Sequence, residues 1–307
     1  MAWIRKLSRA QVNFSKHRSF QFYSYTAKEA MSGDRMGVLL SDVVMELDRF
    51  ANPQMAEPWD NVGLLIEPAT PTSIKNVLLT NDLTEDVMEE ALGKNTNLII
   101  SYHPPIFSAL KRITNTHWKQ RIVSKCLENR VAVYSPHTAW DAVHGGVTDW
   151  LTTAFRGYYD ESTVQPIVNP VDTSMDGNFG MGRIIKVHSI TLNDSVALLK
   201  KHTRLDHLRI ALAKGKTLSS EVSEIALVPG SGGSLLKGVK ADLHITGEMF
   251  HHDLLELNHD GVSVILTNHS DSERGFLKKM EDKLNMLFEG KINIETSVKD
   301  KDPIVSV

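Results

Sequence analysis

The fold is decided by residues 75–105, which read KNVLLTNDLTEDVMEEALGKNTNLIISYHPP. The apolar run at 75–80 predicts a β-strand, and the polar group at 82–85 supplies N-capping side chains for a helix that continues to Leu92. A second apolar run at 98–102 predicts another strand. Strand, helix and strand in this order are typical of a parallel sheet whose faces are covered by helices.

The same alternation extends outward in both directions. Strands are predicted at 62–66, 131–134, 183–187, 207–212, 224–228, 241–245, 262–267 and 291–297. Helices are predicted at 36–50, 118–129, 194–202, 234–239, 249–258 and 272–288. We therefore expect an α/β fold with largely parallel sheets. Residues 157–182 interrupt the pattern, because proline and glycine occur there among polar residues without a clear period, and this predicts a domain junction.

Composition excludes several classes of protein. The chain has 307 residues, of which 41% are hydrophobic and 23% charged, as is usual for a globular protein. Its apolar runs are far shorter than the roughly 20 residues that span a bilayer, so no membrane protein is expected. The net charge of −3 gives no general attraction to nucleic acid. Cys126 is the single cysteine, so a metal site would have to use histidine and carboxylate ligands.

The N-terminal segment differs from the rest of the chain. Residues 1–28 contain six lysines and arginines, and no acidic residue precedes Glu29. This composition is typical of a mitochondrial transit peptide and is equally compatible with a disordered basic tail. We therefore interpret residues 1–35 as an extension outside the fold. The expected compartment is the cytoplasm, with the mitochondrial matrix and the nucleus as alternatives.

Chemically able side chains follow the ends of several predicted strands. In open α/β sheets, ligands bind in the crevice beyond the carboxyl ends of the strands. The residues found there are Asn81, Asp82, His103, His137, Asp141, His269 and Glu273. Imidazole and carboxylate groups together suit Zn, Fe, Mn or Ni in a site that keeps open positions. The sequence therefore predicts a metal site at this edge.

Each candidate also has a structural explanation. Glu273 follows Ser270 by three residues, the spacing of a capping box at the start of the next helix. His137 could bond a loop carbonyl, and Asp141 could cap a helix. His103 precedes two prolines and could be a structural hydrogen-bonding group. Convergence of all these side chains at strand ends is what favours a metal site.

Three further motifs have two interpretations each. The glycine-rich stretch 230–234 could present backbone N–H groups to a phosphate, or could form a tight strand-to-helix turn. Glu248, His251 and His252 form an alternative ligand set, or the polar start of an exposed helix. The Trp-Asp-Asn stretch at 59–61 follows a proline and is expected to form a structural turn, which could also line the cleft.

Seven segments in this order resemble the NIF-three-like family. They are 56–64, 80–84, 101–107, 135–142, 180–183, 230–232 and 269–275. The similarity runs from about residue 36 to residue 307 and is greatest to the animal members, the NGG-interacting-factor-three-like proteins. Bacterial members carry the name GTP cyclohydrolase I type 2.

The resemblance implies an architecture and an assembly. It implies two similar three-layer α/β domains, at 36–156 and 183–274, joined by a connector at 157–182. The C-terminal segment, from about 275 to 307, is expected to return to the first domain. A toroidal homo-oligomer, a hexamer, is also implied.

The resemblance further implies a site for two divalent cations. The positions that match the family's ligands hold His103, Asp141, His269 and Glu273. Tyr102 stands where the family's pattern has a histidine, and a phenol with a pKa near 10 is a poor ligand at neutral pH. We expect the ion held by His103, His269 and Glu273 to persist, and the ion between Asp141 and Glu273 to be weak or absent. His137 could compensate.

Two classes of function follow from this resemblance. The first is a metal-dependent hydrolase that acts on a nucleotide or related small molecule, with His137 or Asp82 as a proton shuttle. The second is a non-catalytic adaptor that binds transcriptional coregulators, a class favoured by the departure at Tyr102. A metal-dependent sensor that binds a small ligand without turnover is a third hypothesis. No direct contact with nucleic acid is expected.

Overall fold

A computed structural model describes residues 37–70, 72–168 and 180–305. The predicted N-terminal extension at 1–35 lies outside these residues, as does the stretch 169–179 of the predicted junction. None of the helices within the described ranges combines the length and the apolar character of a bilayer-spanning segment.

Strands and helices alternate through the described residues. The strands are β1 (Val38–Leu39), β2 (Gly63–Ile66), β3 (Ser73–Ile74), β4 (Asn76–Thr80), β5 (Leu98–Ser101), β6 (Ala132–Ser135), β7 (Arg183–Thr191), β8 (Arg209–Ala211), β9 (Glu221–Ser231), β10 (Leu243–Glu248), β11 (Ser263–Leu266) and β12 (Asn293–Thr296). The helices are α1 (Leu40–Phe50), α2 (Glu85–Gly93), α3 (Trp118–Glu128), α4 (His137–Ala142), α5 (Val147–Thr152), α6 (Leu192–Thr203), α7 (Gly233–Leu236), α8 (His251–His259) and α9 (Gly275–Leu287).

Two five-stranded sheets organise these elements. The first has the order β12-β4-β5-β6-β2, in which only β2 runs antiparallel to its neighbour. The second has the order β7-β9-β10-β11-β8, with antiparallel strands at both edges. The inner strands β5, β6 and β11 are buried along their whole length, as expected where helices cover both faces. The predicted α/β class with largely parallel sheets is confirmed.

The chain crosses to the second sheet and then returns to the first. β12 pairs in parallel with β4, with Ile294 opposite Val77. The first sheet therefore contains strands from residues 63–135 and from residues 293–296. This return brings the segment after β11 close to the carboxyl ends of the first sheet's strands.

Several helices differ from their predictions at the ends. α2 begins at Glu85, because the hydroxyl of Thr84 accepts a hydrogen bond from the backbone N–H of Val87. The helix predicted at 234–239 is the four-residue α7. α4 and α5 were not predicted, because six residues are too few to show a helical period in the sequence.

Hydrophobic packing fixes α4 against α9. Trp140 and Phe276 are buried, and their ring centroids lie 5.5 Å apart in an edge-to-face arrangement. They belong to one core cluster that also contains Ile100 of the first sheet and Ile245 of the second. Because Trp140 immediately precedes Asp141, this contact places Asp141 next to the segment that leads into α9.

Candidate metal centre

Carboxyl ends of strands from both sheets meet at one place. Asn81 and Asp82 follow β4, and Tyr102 with His103 follows β5. His137 and Asp141 lie on α4 directly after β6. His269 and Glu273 follow β11 of the second sheet. The residues predicted from the strand ends thus converge from segments far apart in the chain.

His103, His269 and Glu273 form a triad of potential metal ligands. The two imidazole Nε2 atoms lie 3.3 Å apart. The Nε2 atom of His103 lies 3.4 Å from Glu273 Oε2, and that of His269 lies 3.6 Å from Glu273 Oε1. A tetrahedral ion with bonds of about 2.1 Å places its ligand atoms roughly 3.4 Å apart. The triad therefore has the spacing that a divalent cation requires.

A carboxylate behind each histidine directs its second nitrogen into the triad. The Nδ1–H of His103 donates to Asp82 Oδ1 at 3.0 Å, and the Nδ1–H of His269 donates to Glu248 Oε1 at 2.8 Å. With the proton on Nδ1, the lone pair of Nε2 faces the centre. Carboxylates in this outer position orient metal-binding histidines and make them more basic.

The predicted alternative ligand set does not assemble. Glu248 bonds His269 rather than His252, while the rings of His251 and His252 lie 5.5 Å from each other on α8. Among the residues that the structure describes, the group of three able to share an ion is the triad. Glu248 therefore belongs to this centre as an orienting residue, a role that sequence reasoning did not assign to it.

Charges in the centre place a proton on His103 when no cation is bound. Burial lowers the pKa of His103, but the charges and hydrogen bonds of Glu273 and Asp82 outweigh it and raise the pKa to about 10. Burial raises the pKa of Glu273, whereas His103, His269 and the side-chain amide of Asn81 lower it below its usual value. Asn81 Nδ2 donates to Glu273 Oε2 at 3.0 Å. A cation held at His103 Nε2 would have to displace this proton.

Asp141 lies beside the triad and is paired with Tyr102. The phenol donates a hydrogen bond of 2.6 Å to Asp141 Oδ1, and the two residues are only 1% and 8% exposed. Burial, together with the charge of Glu273, raises the pKa of Asp141 to about 7. Burial and the charge of Asp141 raise the pKa of Tyr102 well above its usual value. Tyr102 therefore stays protonated and occupies an oxygen that a second cation would need.

His137 lies next to these residues and is held by Asp60. Its Nδ1–H donates to Asp60 Oδ1 at 2.7 Å, while the backbone N–H and hydroxyl of Thr138 donate to Asp60 Oδ2. The ring of His137 lies 5.3 Å from that of His103 and 5.6 Å from that of Tyr102. The backbone of His137 has a φ of +32°, a conformation rare for L-residues that is maintained at cost and is common at functional sites.

Three of the structural explanations considered for these residues are wrong, whereas His103 does hydrogen-bond, to Asp82. His137 bonds a carboxylate rather than a loop carbonyl, and Asp141 accepts from Tyr102 rather than capping a helix. The predicted capping box is also absent, because the hydroxyl of Ser270 donates to Asp302 and α9 begins only at Gly275. A 3-10 turn at Ser270–Ser272 separates β11 from α9 and brings Glu273 close to the two triad histidines.

The glycine-rich loop forms a tight turn against the centre. Gly230 has a φ of +63°, and a Cβ there would lie 2.5 Å from Glu273 Oε1. Its backbone N–H donates to the hydroxyl of Ser272 at 2.7 Å. The loop therefore packs against the Glu273 carboxylate. The alternative phosphate interpretation gains no support, since the following helix has only four residues.

Comparisons with known proteins agree on one relationship. The family model described as Duf34/NIF3 (NGG1p interacting factor 3) matches residues 38–303. NIF3-like protein 1 of Drosophila melanogaster is 48% identical over 271 residues, which cover 88% of this chain and 90% of that protein. NGG1-interacting factor 3 of Saccharomyces cerevisiae is 35% identical over 255 residues, covering 78% and 88%. The structure of a Bacillus cereus protein related to NIF3 superposes with a TM-score of 0.76 at 18% identity, covering 88% and 99%.

Proposed function

The chain belongs to the Duf34/NIF3 family, as its seven sequence segments predict, and on that basis we propose that it is a divalent-metal-dependent hydrolase of a nucleotide or related small molecule. The observation that carries this proposal is the triad of His103, His269 and Glu273, in which both imidazoles present Nε2 to a common point. Three protein ligands with further positions left open are typical of catalytic rather than structural metal sites.

The donor set supports a hydrolytic role. Imidazole and carboxylate ligands suit Zn, Fe, Mn or Ni, and a cation of this kind supplies Lewis acidity that activates water near neutral pH. A cleft of about 410 Å³ beside the triad is lined by His103, His269, Glu248 and Asp302, among others. This volume suits a small molecule.

His137 is the residue that we assign to proton transfer. Asp60 holds its Nδ1–H, which leaves Nε2 as the atom that takes up or delivers a proton. Burial raises the pKa of Asp60, but bonds from His137 and Thr138 lower it overall, so Asp60 stays ionised behind the imidazole. Asp82, the other candidate shuttle, is committed to His103 Nδ1 and is better assigned as a positioning residue.

The triad is tested by measuring metal content and turnover together. Wild type loaded with Zn, Mn, Fe or Ni should retain about one tightly bound ion per chain. Glu273→Gln and His269→Ala should reduce that content to near zero and abolish turnover of nucleotide and phosphoester pools. His259→Ala, which changes an exposed histidine on α8, is the matched control and should change neither. Undiminished metal in both triad variants, or no turnover with any ion, would contradict the proposal.

An adaptor role is the second candidate. It is favoured by the yeast relative, whose name describes a factor that interacts with NGG1, and by the pairing of Tyr102 with Asp141. An adaptor that binds a transcriptional coregulator should keep its partner affinity in Glu273→Gln, whereas a hydrolase should lose turnover. We also propose a homohexamer, to be tested by sedimentation, and a cytoplasmic, mitochondrial or nuclear location, to be tested by imaging.

A further inference from the structure

Two exposed aromatic side chains form a pair at the edge of the centre. Trp59 is 59% exposed and Phe107 is 48% exposed. Their ring centroids lie 6.1 Å apart, with the planes inclined at 55°. We call these two residues the aromatic shelf. The inference drawn from this shelf rests on the proposed function and extends it to the part of the substrate that does not react.

Hydrogen bonds of adjacent residues anchor the two loops that carry the exposed shelf rings. Asn61 Nδ2 donates to the carbonyl of Ile106 at 2.5 Å, which ties the residues around Trp59 to the residue before Phe107. Asp60, whose side chain is fully buried, anchors the same loop to His137 and Thr138. Hydrogen bonds on neighbouring residues thus anchor the loops that carry both rings, and this preorganisation of the backbone reduces the entropy lost on binding.

The shelf continues directly from the metal triad. Ring centroids are separated by 5.1 Å between His269 and His103, by 5.3 Å between His103 and His137, and by 6.0 Å between His137 and Trp59. The Trp59 ring is therefore no more than about 11 Å from the His103 ring. This separation is comparable to the length of a nucleotide-sized molecule, so a ligand of that size would be long enough to contact both the shelf and the triad.

We propose that the aromatic shelf binds the planar heteroaromatic ring of the substrate while the substrate's oxygen-bearing polar group reaches the cation held by the triad. An incoming ring can stack on one inclined shelf ring and meet the other at its edge, the two favourable arrangements for aromatic groups. Two aromatic side chains of about 150–250 Å² each match the area of a small ligand, whereas a stable protein interface requires about 800 Å² per partner.

The test compares probes with and without a ring. GMP, AMP and CMP carry a heteroaromatic base, and ribose 5-phosphate carries the same sugar and phosphate without one. With metal-loaded protein, calorimetry should show that Trp59→Ala weakens binding of the nucleotides about tenfold and leaves ribose 5-phosphate unchanged. Trp59→Phe should retain most of the affinity. Trp118→Ala removes another exposed tryptophan, 37% exposed, and should have no effect.

The outcomes separate the shelf from the metal centre. Equal binding of all probes by wild type, or equal losses for probes with and without a ring in Trp59→Ala, would overturn the shelf while metal content still supports the triad. Loss of self-association in Trp59→Ala with unchanged ring preference would also overturn it and would assign the two rings to contacts between copies. A metal-free wild type would instead refute the proposed function. Even in that case, whether the metal-free protein prefers probes with a ring would still show whether the shelf binds a heteroaromatic ring.

Discussion

The two sides of Glu273 differ in how their donor atoms are used. On one side, His103 and His269 have their Nδ1 protons bound by carboxylates, so both Nε2 atoms point toward the centre of the triad. On the other side, Tyr102 donates to Asp141, so the carboxylate is already satisfied by a neutral group. Both sides contain carboxylate oxygens and aromatic rings close to Glu273. What distinguishes them is whether the ring nitrogens face a common point at which a cation could replace the proton of His103.

The comparison predicts that Tyr102→His creates a second metal site. An imidazole at this position removes the phenol proton from Asp141 and adds a ligand next to Asp141 and Glu273. Metal content measured by inductively coupled plasma mass spectrometry should rise from about one to about two ions per chain.

The control for this change is Tyr134→His. Tyr134 is also buried and donates to a carboxylate, Asp48, at 2.8 Å, but it lies outside the centre. This variant should keep the wild-type metal content. A Tyr102→His protein that still holds one ion would show that the phenol is not what excludes the second cation.

The triad side should bind its cation more tightly as pH rises. The pKa of His103 is raised from 6.5 to about 10, so a cation must displace a proton throughout this range. Affinity should therefore increase with pH, by up to about tenfold per unit, and level off above about pH 10. Competition with a chelator of known protonation constants measures this slope.

Asp82→Asn sharpens the same prediction. It removes one of the two charges that raise the pKa of His103, so the affinity should level off at a lower pH than in wild type. If the affinity of the wild-type protein did not depend on pH, no proton would be released on binding. The conclusion that His103 is protonated in the metal-free protein would then be wrong.

The smallest expected effect concerns the hydrogen bond between Tyr102 and Asp141. Tyr102→Phe leaves Asp141 buried without its phenolic donor, and the free energy of unfolding should fall by about 1–3 kcal/mol. Urea denaturation of the metal-free protein measures the loss. Tyr134→Phe is the matched variant and should cost less, because its partner Asp48 is only partly buried. Equal losses in the two variants would argue against a special role for the Tyr102–Asp141 pair.

The regular parts of the fold could be predicted from the sequence, because apolar runs and turns are local signals. Runs such as 98–102 predicted strands that the structure confirms within one or two residues. α4 was missed, because six residues with a proline before them carry no period, although His137 was expected after the preceding strand. The capping pattern at Ser270 was misleading, since its hydroxyl bonds Asp302, more than thirty residues away.

The site could be predicted in part. Strand ends and donor chemistry predicted the residues that the structure brings together as the triad, His103, His269 and Glu273. The bonds that orient them, from Asp82 to His103 and from Glu248 to His269, could not be derived from the sequence. Each depends on which strands are neighbours, β4 with β5 in the first sheet and β10 with β11 in the second. Asp60 behind His137 likewise lies 77 residues away in the chain.

The return of β12 to the edge of the first sheet has a consequence for synthesis on the ribosome. That sheet lacks its edge strand beside β4 until residues 293–296 have emerged, even though β4 and β5 are made much earlier. His103 is then translated more than 160 residues before His269. A nascent chain therefore exposes His103 long before its two partner residues are made, and the triad can assemble only after residue 273 has emerged.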